Sequence, residues 1–264
     1  LAEAFHIAPP GGPGRVLALL DRERRTRFAG GALGYLWAYI NPVVWIALIV
    51  GLFVYLDRRP PIDAGLEIFV ATGILPYVAF RQTVTALSRM LPAHRHMRTL
   101  PGVDTNTILW AGMLLEAINL AVSALLIFGG VTLIFGAALP ASLPGVLWAF
   151  AVAWALGAGV GRFIAIAGQL SQTFARTVPL ALRPFFWLSG VFYVAAELPA
   201  GVRDLMWYSP FLHITELLRE GYFLGFDSPM ADARYPLLIG AGFYLASLPL
   251  ERFATNRRLL RGMS

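Results

Sequence analysis

The chain of 264 residues is 58% hydrophobic and 14% charged, well under the roughly 25% charged residues of soluble domains, which marks an integral membrane protein. Cysteine is absent, which excludes disulfides, thiolate metal sites and cysteine nucleophiles. The formal net charge of +6 is reached without a single lysine. No Walker A motif can form without that lysine, and no nucleic-acid-binding motif is visible.

Residues 15–30 are predicted to form an amphipathic helix at the cytoplasmic interface, with Val16, Leu17, Leu19 and Leu20 on the apolar side and Arg22, Arg24, Arg25 and Arg27 following. The apolar run over 33–56, broken inside only by Asn41-Pro42, is long enough to cross the ~30 Å hydrocarbon core. Tyr35, Trp37 and Tyr39 fall where an interfacial belt would sit. Asp57-Arg58-Arg59-Pro60-Pro61 stops the helix. Further spans are predicted over 68–87, 107–135, 143–167, 177–194 and 235–253. The second and third are separated by a polar, basic inner segment, 88–106, with Arg89, His94, Arg95, His96 and Arg98.

Segment 195–234 is too charged to span. Ser209-Pro210 reads as an N-cap with proline at the first helical position, and the helix would continue past Glu220 to Gly225. With the stretch before it, this predicts an outer helical hairpin dipping part-way back into the membrane, which is tolerated only against protein or a water-filled cavity. The fold class expected is therefore all-α integral membrane, with six transmembrane helices, an N-terminal interface helix and a re-entrant hairpin between spans five and six, in a single domain over 1–264.

Charge supports that topology. Arginines gather on the side shared by both termini, at 15–27, 89–98, 176 and 252–261, whereas the opposite side holds only Arg58, Arg59, Arg203, Arg219 and Arg234. This is the positive-inside asymmetry of a chain with both termini cytoplasmic. Arg81, Arg162 and Arg183 fall inside spans near a cytoplasmic end, where their heads are expected to snorkel to the headgroups.

Gly157-Ala158-Gly159-Val160-Gly161 lies inside the fourth span with no strand before it, so it is not a nucleotide-binding loop. Gly157 and Gly161 form a GxxxG face for close helix packing. His94 and His96 are two apart and share no helix face. His213 and Glu216 do share one, but no further ligands accompany them, so no metal site is expected. Glu116, with Asn119, lies inside the third span, where an ionisable group needs a partner; Arg81 is the candidate. No catalytic constellation of Ser-His-Asp, paired-carboxylate or zinc type appears.

Arg25-Thr26-Arg27-Phe28, Leu33-Gly34-Tyr35-Leu36-Trp37-Ala38 and Pro42 are followed by Gly73-Ile74-Leu75-Pro76, Arg183-Pro184, Ser189-Gly190, Phe192-Tyr193 and Leu198-Pro199. Pro210, Leu212-His213, Glu216-Leu217 and Arg219-Glu220 complete the series. Together they resemble the type-2 ABC exporter permeases, in particular the capsular-polysaccharide export permeases of Gram-negative bacteria. The sequence departs from the pattern at Asn41, where an acidic residue is usual, at Trp45, where His is common, and by one extra residue in Trp207-Tyr208-Ser209-Pro210.

The resemblance implies a homodimer docked on two separate ATP-binding subunits, which would carry the ATP and Mg. The complex would move a lipid-linked capsular polysaccharide across the bacterial inner membrane towards periplasmic and outer-membrane export proteins. O-antigen or teichoic-acid export is the alternative within the same mechanism. A secondary transporter should show internal repeats or several intramembrane charges, and a glycan-processing enzyme an interfacial cluster of carboxylates or histidines.

On the same resemblance, segment 88–106 would dock the ATPase through Met90, Leu91, Met97 and Leu100, with Arg95 and Arg98 at the rim and Arg24, Arg25 and Arg27 nearby. Sugar rings stack on aromatic faces, so Tyr35, Trp37, Tyr39, Trp45, Phe186, Trp187 and Tyr193 are candidates for the substrate path. Arg183 adds a charge suited to an acidic glycan or its phospholipid anchor. Trp207, His213, Glu216, Arg219 and Glu220 would form an outer gate.

Overall fold

The structure, a computed structural model, describes residues 32–95 and 103–262 together with Gly14, Val16 and Leu19; the side chains of 32–39, 41, 172 and 257–262 lie outside that description. The described residues form helices joined by turns. In order these are α1 (Ala32–Tyr55), α2 (Leu66–Ala93), α3 (Thr105–Phe135), α4 (Leu143–Ala167), α5 (Gln172–Ala181), α6 (Ala200–Met206), α7 (Pro210–Tyr222) and α8 (Arg234–Gly262). Short 3-10 turns occupy Arg183–Leu188 and Ala195–Glu197. Among the described residues three stretches are long and apolar enough to cross a membrane: Thr105–Phe135, Leu143–Ala167 and Arg234–Asn256.

The helix ends follow from local chemistry. Asp104 caps α3 by accepting from the Thr107 backbone N–H at 2.7 Å, and Gly136, at φ 67°, closes it in the left-handed region. Ser142 caps α4 just ahead of Pro144, and Ser171 caps α5. α1 ends with Asp57 in the left-handed position and the Arg58 N–H reaching back to the Phe53 carbonyl at 2.9 Å.

α4 is the central helix, packed between α2 and α8 with α7 across its N-terminal end. Glycine makes both approaches possible. A Cβ on Gly157 or Gly161 would run into Phe80, Thr83, Val84 and Leu87 of α2, so the expected small-residue face meets α2. Gly159, between them, serves the opposite face: a Cβ there would lie 2.0 Å from the Gly240 carbonyl oxygen of α8. One core runs from that end through the middle, from Phe53 and Phe69 to Leu156 and Leu218. A second, formed by Leu87, Met90, Leu91, Ile108, Leu109 and Met113, lies at the other end, and Leu19 of the N-terminal segment packs on it. α3 leaves Leu125, Leu133 and Ile134 exposed, and α1 and α8 leave Leu48, Val54 and Leu238 exposed. Apolar side chains on the outside suit contact with lipid.

Three expectations are corrected. α2 does not end at 87 but runs to Ala93, because Met90 and Leu91 bury themselves in the second core. The stretch 177–194 is not one helix: α5 ends at Ala181, Pro184 opens a 3-10 turn, and Gly190 turns the chain at φ 80°. Arg162 does not snorkel. It is fully buried, donating from Nε to Ser247 Oγ at 2.8 Å and from Nη2 to Glu251 Oε2 at 2.6 Å, with its guanidinium 4.9 Å from the centre of the Tyr244 ring. The acceptors come from α8, far along the chain, which is why sequence spacing did not reveal them.

Candidate functional site

Two groups of residues carry the chemistry, one at α7 and one where α1, α2 and the Arg183–Leu188 turn meet. The first is centred on Arg219, which is fully buried. Its Nη1 donates to the Tyr193 carbonyl at 2.8 Å and to Glu216 Oε1 at 3.2 Å, and Nη2 donates to the Gly190 carbonyl at 2.8 Å. The guanidinium also stands 4.3 Å from the centre of the Phe69 ring. Burial pulls its pKa down to about 10, with Glu216 opposing the shift, so it stays charged at neutral pH.

That geometry explains four glycines and a serine. Gly190 reaches the left-handed region that lets its carbonyl face the guanidinium. Gly73 lets α2 approach the turn, since a Cβ there would lie 2.8 Å from Val191 Cα. Gly221 and Gly145 let α7 lie against the start of α4, where the Ser142 N–H donates to the Gly221 carbonyl at 2.8 Å. Ser228 donates through Oγ to Glu216 Oε2 at 2.6 Å and through its N–H to Glu220 Oε1 at 3.0 Å, folding the 226–230 loop onto α7. His213 is fully buried; its Nε2 donates to the Trp207 carbonyl at 2.8 Å, and its ring packs on Trp207 and Tyr235.

The second group is a ladder of rings. Trp45 of α1 meets Phe186 at 5.6 Å, Phe186 meets Tyr77 edge-on at 5.5 Å, and Trp187 stacks on Phe192 at 5.0 Å. Phe192 in turn stacks on Phe53 at 6.4 Å. The Tyr77 hydroxyl donates to the Leu182 carbonyl at 2.6 Å, pinning α2 to the end of α5. Trp45 is 40% and Trp187 61% exposed, so the ladder has open faces as well as packed ones. Tyr193 adjoins it, its hydroxyl 3.4 Å from the Trp187 carbonyl oxygen.

Of the path candidates, the structure thus brings together Trp45, Phe186, Trp187 and Tyr193, with Arg183 exposed beside them. The side chains of Tyr35, Trp37 and Tyr39 lie outside the described residues, as do Arg24, Arg25, Arg27, Met97, Arg98 and Leu100. Arg95 is exposed at the end of α2. Met90 and Leu91, 4% and 2% exposed, are core residues rather than a docking surface. Among the gate candidates, Glu216, Arg219 and His213 are buried, Glu220 is partly buried and Trp207 is exposed.

The expected Arg81–Glu116 pair does not form. α2 turns Leu87 and Met90 towards Gly112 of α3. Arg81 follows Tyr77 by one turn, on the face directed to α5 and the Arg183 turn. Glu116 instead receives Asn119 Nδ2 at 3.4 Å, one turn along α3. Sequence reasoning also missed Tyr77, Phe192 and the Arg162–Glu251 pair, since nothing local distinguishes them from core residues. Groups of acidic and histidine side chains able to hold a metal are absent among the described residues.

A family profile described as "ABC-2 type transporter" matches residues 14–223. The polysialic acid transport protein KpsM of Escherichia coli is 25% identical over 241 residues, 87% of this chain and 92% of that protein. The capsule polysaccharide export inner-membrane protein BexB of Haemophilus influenzae is 26% identical over 220 residues, 80% of each. The O-antigen export system permease protein RfbA of Myxococcus xanthus is 28% identical over 86 residues, 33% of this chain and 32% of that protein.

Proposed function

The chain belongs to the ABC-2 type transporter family, and on that premise we propose that it is the inner-membrane permease of a capsular-polysaccharide exporter, moving a lipid-linked acidic glycan outward. The observation that carries the reading is the likeness to capsule and polysialic acid export proteins over most of both chains. The shorter likeness to an O-antigen permease keeps O-antigen export as the second reading. No lysine is present to build a Walker A motif, so ATP and Mg belong to two separate ATP-binding subunits. A second copy of the chain and periplasmic and outer-membrane export proteins complete the assembly.

In this reading α1, α2, α3, α4, the broken α5 segment and α8 are the six spans, and α6–α7 are the re-entrant hairpin, with both termini cytoplasmic. The arginine asymmetry and the exposed apolar sides of α1, α3 and α8 support it. The open faces of Trp45 and Trp187 offer stacking surfaces to sugar rings, the exposed Arg95 and the interface-helix arginines offer contacts to the ATPase, and the Arg219-centred hairpin gates the exit. The test is deletion of the chain in its host. A capsular glycan on its lipid anchor should accumulate in the cytoplasm; accumulation of an O-antigen instead selects the second reading. Trp187→Ala should restore ATP hydrolysis and complex assembly but not surface glycan, and full export by that variant removes Trp187 from the path.

A further inference from the structure

Of the three arginines expected inside spans, Arg81, Arg162 and Arg183, the α4–α8 pair uses only Arg162 and leaves Arg81 and Arg183. Arg81 stands near the middle of α2, about 18 Å of helix from Ala93, further than its own side chain can reach. Its Nε is buried and has no hydrogen-bond partner among the described residues. Arg183 opens the turn that carries Phe186 and Trp187, and its side chain is exposed. The Tyr77 hydroxyl, one helical turn before Arg81, donates to the Leu182 carbonyl at 2.6 Å and lies 3.5 Å from the Arg183 carbonyl oxygen, so α2 brings Arg81 to the side of the turn that Arg183 opens. Among the described residues the ion pairs are Arg162–Glu251 and Arg219–Glu216, so neither Arg81 nor Arg183 has a carboxylate within salt-bridge distance.

Two positive side chains on one side of α2, beside an aromatic ladder and without a carboxylate at salt-bridge distance among the described residues, suit a visiting anion. We propose that Arg81 and Arg183 form an oxyanion-binding step at the foot of the ladder, taking a phosphate or carboxylate group whose attached neutral rings stack on Phe186, Trp45 and Trp187. The proposal rests on the transport reading above and names the chemistry of its cargo: an anionic group on a sugar-bearing lipid. The planar guanidinium suits either oxyanion, offering two parallel donors to it. Tyr77, held by its hydrogen bond, fixes the spacing between α2, which carries Arg81, and the turn that carries Arg183.

The test uses the full-length protein in nanodiscs of zwitterionic lipid. It is titrated separately with short-chain phosphatidylglycerol, with a sialic acid oligomer and with a neutral dextrin. The wild type should bind an anionic probe in a salt-sensitive way, and which probe it binds distinguishes the lipid-anchor phosphate from the glycan carboxylates. Arg81→Gln with Arg183→Gln should weaken that binding about ten- to a hundredfold, the scale of one or two charge-assisted hydrogen bonds. The double change to Lys, which keeps the charge but loses the two-pronged geometry, should recover only part of it, and Arg59→Ala, in the loop after α1, should leave it unchanged. Equal binding of anionic and neutral probes, or undiminished binding by the Gln pair, overturns the site. Absence of binding by the wild type also overturns it, while the deletion test of the capsule reading stands separately. Loss of binding with export intact shows that the step is no part of transport and overturns the proposal. Loss of both supports it.

Discussion

The arginine buried on α7 and the pair at the foot of the ladder are chemically the same residue in opposite circumstances. Arg219 is sealed from solvent but has two carbonyls, a carboxylate and an aromatic face around it. Arg183 is exposed, and Arg81 is partly buried with its Nε unmatched. Burial alone therefore does not separate a structural charge from a working one. What separates them is whether the protein supplies the acceptors. Where it does, the charge joins segments into one unit; where it does not, the charge is available to something that arrives.

Arg219→Ala tests the first half of that contrast. It leaves Glu216 buried and two carbonyls bare, so unfolding in detergent should show a loss of about 3–5 kcal/mol. Replacing Arg219 by Met together with Glu216→Gln should cost less than the single change, because no charge is left stranded. A smaller effect is expected at the other packed contact. Gly159→Val forces α4 away from Gly240, at about 1–3 kcal/mol of overpacking. Gly242→Ala on α8, where a Cβ meets nothing, should be neutral or stabilising by up to about 1 kcal/mol.

Arg183→Gln should change stability by no more than about 0.5 kcal/mol, as an exposed side chain without partners does. If it destabilises the protein as much as Arg219→Ala, the distinction drawn above fails. The smallest effect concerns Glu220. Desolvation raises its pKa above the usual 4.5, with the Ser228 N–H opposing and the Asp227 charge adding to the rise. The folded hairpin therefore holds that proton more tightly than the unfolded chain. The penalty is absent below 4.5 and grows as pH rises through the raised value. Solvent screens it, so hydrogen exchange at the 226–230 amides should quicken only slightly towards neutral pH beyond its intrinsic rise, and Glu220→Gln should remove that excess.

Much of this was legible in the chain. The apolar runs placed α1, α3, α4 and α8, with the 143–167 boundaries reproduced by Ser142 and Pro144 at one end and Gly168 at the other. Gly157 and Gly161 announced a close contact, and the start of α7 was signalled by Ser209-Pro210. These signals are local: length, periodicity, caps and breakers act within a few residues, and the chain carries them whatever surrounds it. Aromatic residues around 186 could be chosen as candidates for the same reason, since their chemistry is intrinsic.

Only the tertiary structure decided which partners those residues meet. Arg162 looked able to snorkel until α8 brought Ser247 and Glu251 to it. Arg81 and Glu116 looked like a pair until the rotation of α2 set Arg81 on the side of Tyr77 and Arg183. Met90 and Leu91 looked like docking residues until α2 ran on and buried them. Gly190 and Arg219, separate motif letters in the sequence, became one site because a 29-residue excursion of the chain returns α7 to the turn it left. A buried charge takes its role from the acceptors within about 3 Å, and those come from segments whose separation along the chain carries no information about distance in space.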